Sequence, residues 1–293
     1  MSDAHLHLVP HSDAAPVEPD FSRERIEQYL EAAAGRGIGE LCFTEHYYRC
    51  VEGAPYLGEF WVGESPEAVA MTLQMLAADR SLSLDAYVGA VLAAKDHGLP
   101  VRVGLELDVF PDSIERVADH LAGYPFDFVL GSVHWLGGLV LDTRDSPPLI
   151  TARGLRRTWE EYTEVVEHVA ESGVVDAIGH VDLLKKYGLR LPEEPLDLYE
   201  RMVAALAASG VALEINSAGL RKPVGELYPA PTLLAMAHAA GVAITLGSDG
   251  HAPDEAGLGL DEAVAAAREA GYTEYLRFVG RDPQRAPLPR ATA

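Results

Sequence analysis

Short apolar runs alternate with longer stretches of helical periodicity along most of the chain. The apolar runs are Asp3 to Leu8, Glu40 to Thr44, Val101 to Val109, Phe126 to Ser132, Val174 to Gly179, Val211 to Asn216 and Val242 to Ser248. Between them the spacing of apolar positions predicts amphipathic helices at Ser22 to Arg36, Leu84 to His97, Asp112 to Ala122, Arg153 to Ser172, Leu196 to Ser209 and Ala230 to Ala240. Gly37, Gly98, Gly173, Gly210 and Gly241 each stand just before the next strand, the place where a left-handed residue ends a helix. Seven such strands in βα repetition predict an α/β fold around a parallel sheet, of a length suited to one barrel.

Two segments interrupt the alternation. Tyr47 to Ser83 carries five aromatic residues, Tyr47, Tyr48, Tyr56, Phe60 and Trp61, before a helical stretch from about Ser65 to Asp79. An insertion of that length after a strand usually has a role, here a lid or wall over the barrel mouth, with a plain surface excursion as the alternative. A shorter insertion, Gly137 to Thr151, follows the fourth strand. The segment Arg281 to Ala293 holds three prolines and reads as an extended or frayed tail. The expected organisation is therefore a single domain over 1–280, with an insertion at about 47–83, followed by a tail over 281–293.

Composition narrows the function classes. Hydrophobic residues make up 48% of the 293 positions, enough for a substantial core, whereas Asp and Glu total 45 against 23 Lys and Arg, a formal charge of −22. A field of that sign repels polyanions, so nucleic acid is not an expected partner. A small phosphate ester remains compatible, because bound cations can reverse the potential locally. No basic segment followed by an apolar stretch opens the sequence, and no apolar run approaches the roughly 20 residues of a membrane span. The expectation is a soluble, cytoplasmic protein without membrane contact. Cys42 and Cys50, the only cysteines, are too few for a disulfide framework.

The eleven histidines separate once they are placed on these elements. His97, His120, His168 and His238 fall on helices, where surface or core roles suffice. His5, His7, His46, His134, His180 and His251 fall at or just beyond the C-terminal ends of strands, with His11 in the first loop. Loops at that end of an α/β barrel converge side chains from separate strands. Asp3, His5 and His7 alternate, as residues on one face of a strand do. Glu106 is a carboxylate in an otherwise apolar strand end and requires a cation or a basic partner. Asp249 and His251 repeat the one-face spacing. Oxygen and imidazole donors without thiolates suit Zn, Mn or Fe, and more than four candidate ligands imply more than one ion. A multinuclear site can hold a bridging hydroxide and polarise a phosphoryl group.

Taken in order, Asp3-Ala4-His5-Leu6-His7, Thr44-Glu45-His46, Gly104-Leu105-Glu106, Gly131-Ser132-Val133-His134, Gly179-His180-Val181-Asp182-Leu183 and Gly247-Ser248-Asp249-Gly250-His251 resemble the polymerase-and-histidinol-phosphatase (PHP) superfamily. The resemblance implies a distorted (β/α)7 barrel and a cluster of three divalent ions. His5, His7, Glu106 and Asp249 would hold the first ion, and Glu106 would bridge to a second held by His134 and His180. The third would take His46, His251 and a first-loop residue. Asp13 is the gapless match to the family's usual histidine, and His11, two residues earlier, is the alternative.

A second motif points to the histidinol-phosphatase branch of the family. Leu213-Glu214-Ile215-Asn216-Ser217-Ala218-Gly219-Leu220-Arg221-Lys222-Pro223, followed by Glu226-Leu227-Tyr228-Pro229, resembles the segment that supplies a phosphate-binding arginine. Arg221 presents a planar fork matched to phosphate oxygens, a role that lysine does not copy. Lys222 and Arg49 are further candidates for substrate contact. The implied activity is hydrolysis of L-histidinol phosphate to L-histidinol and phosphate, a step of histidine biosynthesis. In that mechanism Glu106 bridges the ions that carry the nucleophile, Arg221 stabilises the transferring phosphoryl group, and His251 or a metal-bound water is the candidate donor of the leaving group's proton. Two alternatives stay open: a phosphoesterase of the same superfamily acting on another small ester, a nucleotide or phosphotyrosine, and a metal-binding regulatory module without turnover.

Overall fold

The computed structural model describes residues 1–11 and 16–289. Its strands are β1 (Ser2–Leu6), β2 (Glu40–Phe43), β3 (Val101–Asp108), β4 (Phe128–Ser132), the short pair β5 (Trp135–Leu136) and β6 (Leu139–Val140), β7 (Ala177–Ile178), β8 (Ala212–Asn216), β9 (Ile244–Gly247), β10 (Glu274–Val279) and β11 (Asp282–Pro287). Seven of them pair in parallel in the order β1-β2-β3-β4-β7-β8-β9. The ends of this sheet meet beyond β9, where Leu6 bridges Gly250. There His7 N–H donates to Gly250 O and Asp249 N–H donates to His5 O, both at 2.8 Å. The result is a nearly closed (β/α)7 barrel, with every strand running toward the same mouth.

Local chemistry accounts for the helices between strands. Ser22, Ser65 and Ser83 cap the helices Arg23–Ala34, Pro66–Asp79 and Leu84–Asp96, each accepting a backbone N–H from within the first turn. At the other end of Leu196–Ser209, Gly210 takes φ 74°, a conformation that costs a Cβ-bearing residue more. The amphipathic helix Leu155–Glu171 buries Trp159, Tyr162, Val166 and Val169 toward the barrel. All the strands and helices expected from the sequence are present within a few residues of their anticipated bounds.

The C-terminal segment is extended, one of its two expected forms, but it does not lead away from the barrel: Asp282–Pro287 turns back at Gly280-Arg281 and pairs antiparallel with Glu274–Val279. Pro283 and Pro287 are tolerated there because β11 is an edge strand, one side of which needs no ladder donors. Leu276 and Phe278 of β10 pack on Ala4, Cys42, Phe128, Leu130, Ala177 and Ala212, so the hairpin caps the end of the barrel where the strands begin. The helix Leu260–Ala270 that leads into the hairpin was likewise not anticipated.

The insertion over 47–83 packs beside the opposite end, the mouth. Phe60 stacks on Phe110 with ring centroids 3.9 Å apart. Thr72 donates to Gly138 O at 2.7 Å and accepts from Trp135 Nε1 at 3.1 Å, joining the helix Pro66–Asp79 to the β5-β6 hairpin. Among the described residues no helix is long and apolar enough to cross a membrane.

Candidate metal centre

Side chains from six of the seven strand ends converge inside this mouth. His5 and His7 come from the end of β1, His46 from the loop after β2, Glu106 from β3, His134 from beyond β4, His180 from beyond β7, and Asp249 and His251 from beyond β9. Glu106 lies at their centre and is wholly buried. Its Oε2 is 3.3 Å from His5 Nε2, 3.4 Å from His7 Nε2 and 2.8 Å from His46 Nδ1. Its Oε1 faces the other way, 3.1 Å from His180 Nε2 and 3.6 Å from His134 Nε2, and accepts from Ser132 Oγ at 2.6 Å. Asp249 Oδ1 completes the first side, 3.8 Å from His5 Nε2 and 3.6 Å from His7 Nε2.

These donors fit divalent cations. Among the described residues four sets have ligand atoms mutually close enough to share an ion: His5, His7 and Glu106; Glu106, His134 and His180; His7, His46 and His251; and His46, Asp108 and His134. Glu106 Oε2, His7 Nδ1 and His251 Nε2 are buried without a hydrogen-bonding partner in the protein, an expensive state for polar atoms unless a cation satisfies them. Burial, reinforced at each position by neighbouring imidazoles, pushes His46 and His251 well below the ordinary imidazole value, which leaves them neutral with lone pairs free to coordinate. Burial also disfavours charge on His5 and His134, but carboxylates prevail. Glu214 and Glu106 raise His5 well above its usual value, and Asp108 and Glu106 push His134 up to about 10. So much negative potential around imidazoles attracts dications as readily as protons.

A second layer of acids orients the first. Glu214 accepts from His5 Nδ1 at 2.7 Å, from the His180 backbone N–H at 2.9 Å and from Asn216 Nδ2 at 3.0 Å. Asp108 Oδ1 lies 2.8 Å from His134 Nδ1. A carboxylate on one ring nitrogen fixes the tautomer and turns the other nitrogen toward a metal. His180 and Asp249 have φ 25° and 52°, strained for residues with a Cβ, and the bonds from His180 N–H to Glu214 and from Asp249 N–H to His5 O hold them there. Position 247 has no room for a side chain: a Cβ would sit 2.0 Å from Glu214 Oε1 and 2.6 Å from His5 Cβ.

Sequence reasoning passed over Glu214 and Asp108. Both carried the signal that singled out Glu106, an acid within an apolar strand, and Asp108 also shares a strand face with Glu106. Asp3, by contrast, does not join His5 and His7. A register irregularity between Asp3 and Leu6 breaks the simple alternation, and the Asp3 carboxylate accepts from Ser248 N–H at 2.9 Å, Ser248 Oγ at 2.5 Å and Gly257 N–H at 2.9 Å. It ties β1 to the loop after β9.

Asp13 lies outside the described residues. His11 is brought to the cluster, its Nε2 3.2 Å from His46 Nε2 and its ring centroid 4.6 Å from that of His251. Arg49 is buried rather than open to the mouth's solvent: its side chain is 1% exposed and donates to Val9 O at 2.7 Å and Pro10 O at 2.9 Å, so it buttresses the first loop. Arg221 sits at the rim. Its Nη2 donates to Ser248 O at 2.8 Å, while its Nη1 is buried without a partner in the protein. Lys222 lines a cavity of about 500 Å³ that opens beside His11, with Met71, Met75, Asp142 and Lys186 among the other walls.

The similarities of the whole chain agree with this site. A sequence profile of the PHP domain matches residues 7–218. A probable histidinol-phosphatase of Deinococcus radiodurans is 34% identical over 278 residues, spanning 92% of this chain and 94% of that protein. The histidinol-phosphatase of Bacillus subtilis is 28% identical over 281 residues, spanning 88% of this chain and 96% of its own. The crystal structure of histidinol phosphate phosphatase from Lactococcus lactis, in complex with zinc, L-histidinol and phosphate, has the same fold, with a TM-score of 0.72 at 24% identity over 97% of this chain and 98% of that one. With the family profile matched over most of its length, and a relative 34% identical along nearly all of it, the chain belongs to the PHP domain family.

Proposed function

We propose that the chain hydrolyses L-histidinol phosphate to L-histidinol and phosphate, as a cytoplasmic enzyme, with three divalent ions at the barrel mouth. The observation that carries the metal assignment is Glu106, whose two oxygens face two separate groups of imidazoles. In this reading His5, His7, Glu106 and Asp249 hold one ion; Glu106, His134 and His180 a second; and His46, His251 and His11 a third. Ions held there would activate water at neutral pH and offset charge on the phosphoryl oxygens.

The protein's own contribution is placement. Arg221 is pinned through Nη2 to Ser248 O beside Asp249, and its Nη1, which has no partner in the protein, is left to pair with a phosphate oxygen. Lys222 and Lys186 add positive charge around the adjoining cavity. Asp142 pairs with Lys186 through Oδ2 at 3.0 Å and keeps Oδ1 without a partner in the protein, an acceptor suited to an ammonium group, and Met71 and Met75 of the insertion offer a soft apolar wall to an aromatic ring. Both features match the amine and imidazole of histidinol, and they make the insertion a wall of the substrate cavity. The full-length similarity to proteins named as histidinol-phosphatases supports the same substrate.

The test is a phosphate-release panel after reconstitution with Mn, Zn or Fe, comparing histidinol phosphate with a generic monoester, a nucleotide and phosphotyrosine. Turnover of histidinol phosphate no faster than of the generic ester would remove the substrate assignment. Bound metal without any turnover would favour a regulatory module instead.

A further inference from the structure

The insertion contributes more than a wall. Its helix Pro66–Asp79 ends on a carboxylate that is 3% exposed and directed at the first loop. Asp79 Oδ2 lies 2.8 Å from His11 Nδ1 and accepts from the Tyr48 hydroxyl at 3.2 Å, while Oδ1 is 3.7 Å from Arg49 Nη2. On the other side of the same loop, Arg49 grips the carbonyls of Val9 and Pro10, the two residues that precede His11. The His11 side chain is 39% exposed, so without such a hold its ring would sample several rotamers.

The direction of this hold is chemically specific. A carboxylate at Nδ1 keeps the proton on that nitrogen and leaves Nε2 as a lone-pair donor. Nε2 is the atom that faces His46, at 3.2 Å. Two ring nitrogens facing one another, with the His251 ring beside them, form a donor set that one shared cation would satisfy.

We propose that Asp79 is a positioning residue for the third metal ion, acting through His11 to place Nε2 on the ion shared with His46 and His251. The insertion is thereby part of the metal centre, and loosening its helix end weakens that ion. This inference rests on the metal-binding part of the function proposed above and is independent of the substrate's identity.

Metal content and metal titration of the folded, reconstituted protein test it. His11→Ala should lose one ion per chain after dialysis. Asp79→Ala should weaken the same ion by about 10- to 100-fold, the usual effect of removing a carboxylate behind a metal-bound histidine. In a His11→Ala background, Asp79→Ala should have no further effect on metal affinity, because the two act in series. Asp79→Asn retains an acceptor oxygen for His11 and should show a smaller loss; it also serves if the alanine variant fails to fold. The proposal is overturned if His11→Ala keeps the parent's stoichiometry, or if the Asp79 variants weaken metal binding equally with and without His11. A protein that shows this metal dependence yet leaves histidinol phosphate intact would sink the substrate assignment and leave the role of Asp79 standing.

Discussion

Replacing Glu106 by Gln isolates what one carboxylate does for the whole centre. The change is isosteric, so no cavity opens in a core where the residue is wholly buried. What changes is the loss of one negative charge and the conversion of one oxygen into an N–H donor. Whichever way the amide turns, one group of imidazoles then faces a donor: His5, His7 and His46 around Oε2, or His134 and His180 near Oε1. Removing a carboxylate that only orients a ligand weakens a metal by up to about 100-fold, and loss of a directly shared ligand should reach at least that for each of two ions. At metal concentrations that are 100 times the parent's dissociation constants, each ion stabilises the fold by about 2.7 kcal/mol. Two ions together contribute about 5 kcal/mol, most of which should vanish in the variant. For a chain of this length that corresponds to a metal-dependent rise in Tm smaller by about 10 °C. The assay is thermal unfolding of parent and variant, each with chelator and with saturating Mn or Zn, alongside metal analysis. If Glu106→Gln keeps full metal content and the parent's metal-dependent shift, the bridging role is wrong.

Three further outcomes follow from the same geometry. Arg221→Ala should lower kcat/KM for histidinol phosphate by about 100- to 1000-fold with metal content unchanged, and Arg221→Lys should recover little, since the guanidinium fork is what is lost; steady-state kinetics with metal analysis check both. Glu214→Gln should weaken metal binding by about 10- to 100-fold through the misorientation of His5, read by competition with a chromogenic chelator. Gly247→Ala should destabilise the protein by about 1–3 kcal/mol or prevent folding, because its Cβ would overlap Glu214 and crowd His5, and denaturant unfolding measures this.

Most of the barrel was legible in the linear pattern. Apolar runs with glycine-ended helices between them depend on local chemistry, and β1 to β4 and β7 to β9 follow them closely. The β10-β11 hairpin was not legible, since Asp282–Pro287 is polar and proline-bearing and becomes a strand only because β10 presents it with a partner. The side chains that converge at the mouth could be chosen because histidines recurred at strand ends. Their supports could not all be chosen. Glu214 and Asp108 gain their meaning from distances to His5 and His134, and the hold of the Arg49 guanidinium on Val9 O and Pro10 O exists only once the first loop lies over it.

The amino-acid order by itself determined the period of the elements, the positions of their ends and the residue types delivered to the mouth, because these depend on propensity, patterning and turn chemistry within a few residues. Which side chains share an ion, which acids stand behind them, and how the insertion's Asp79 reaches a first-loop histidine were decided only by the closed barrel. Those contacts join residues far apart in the chain, and a displacement of about one ångström, which no local pattern encodes, separates a ligand from a bystander.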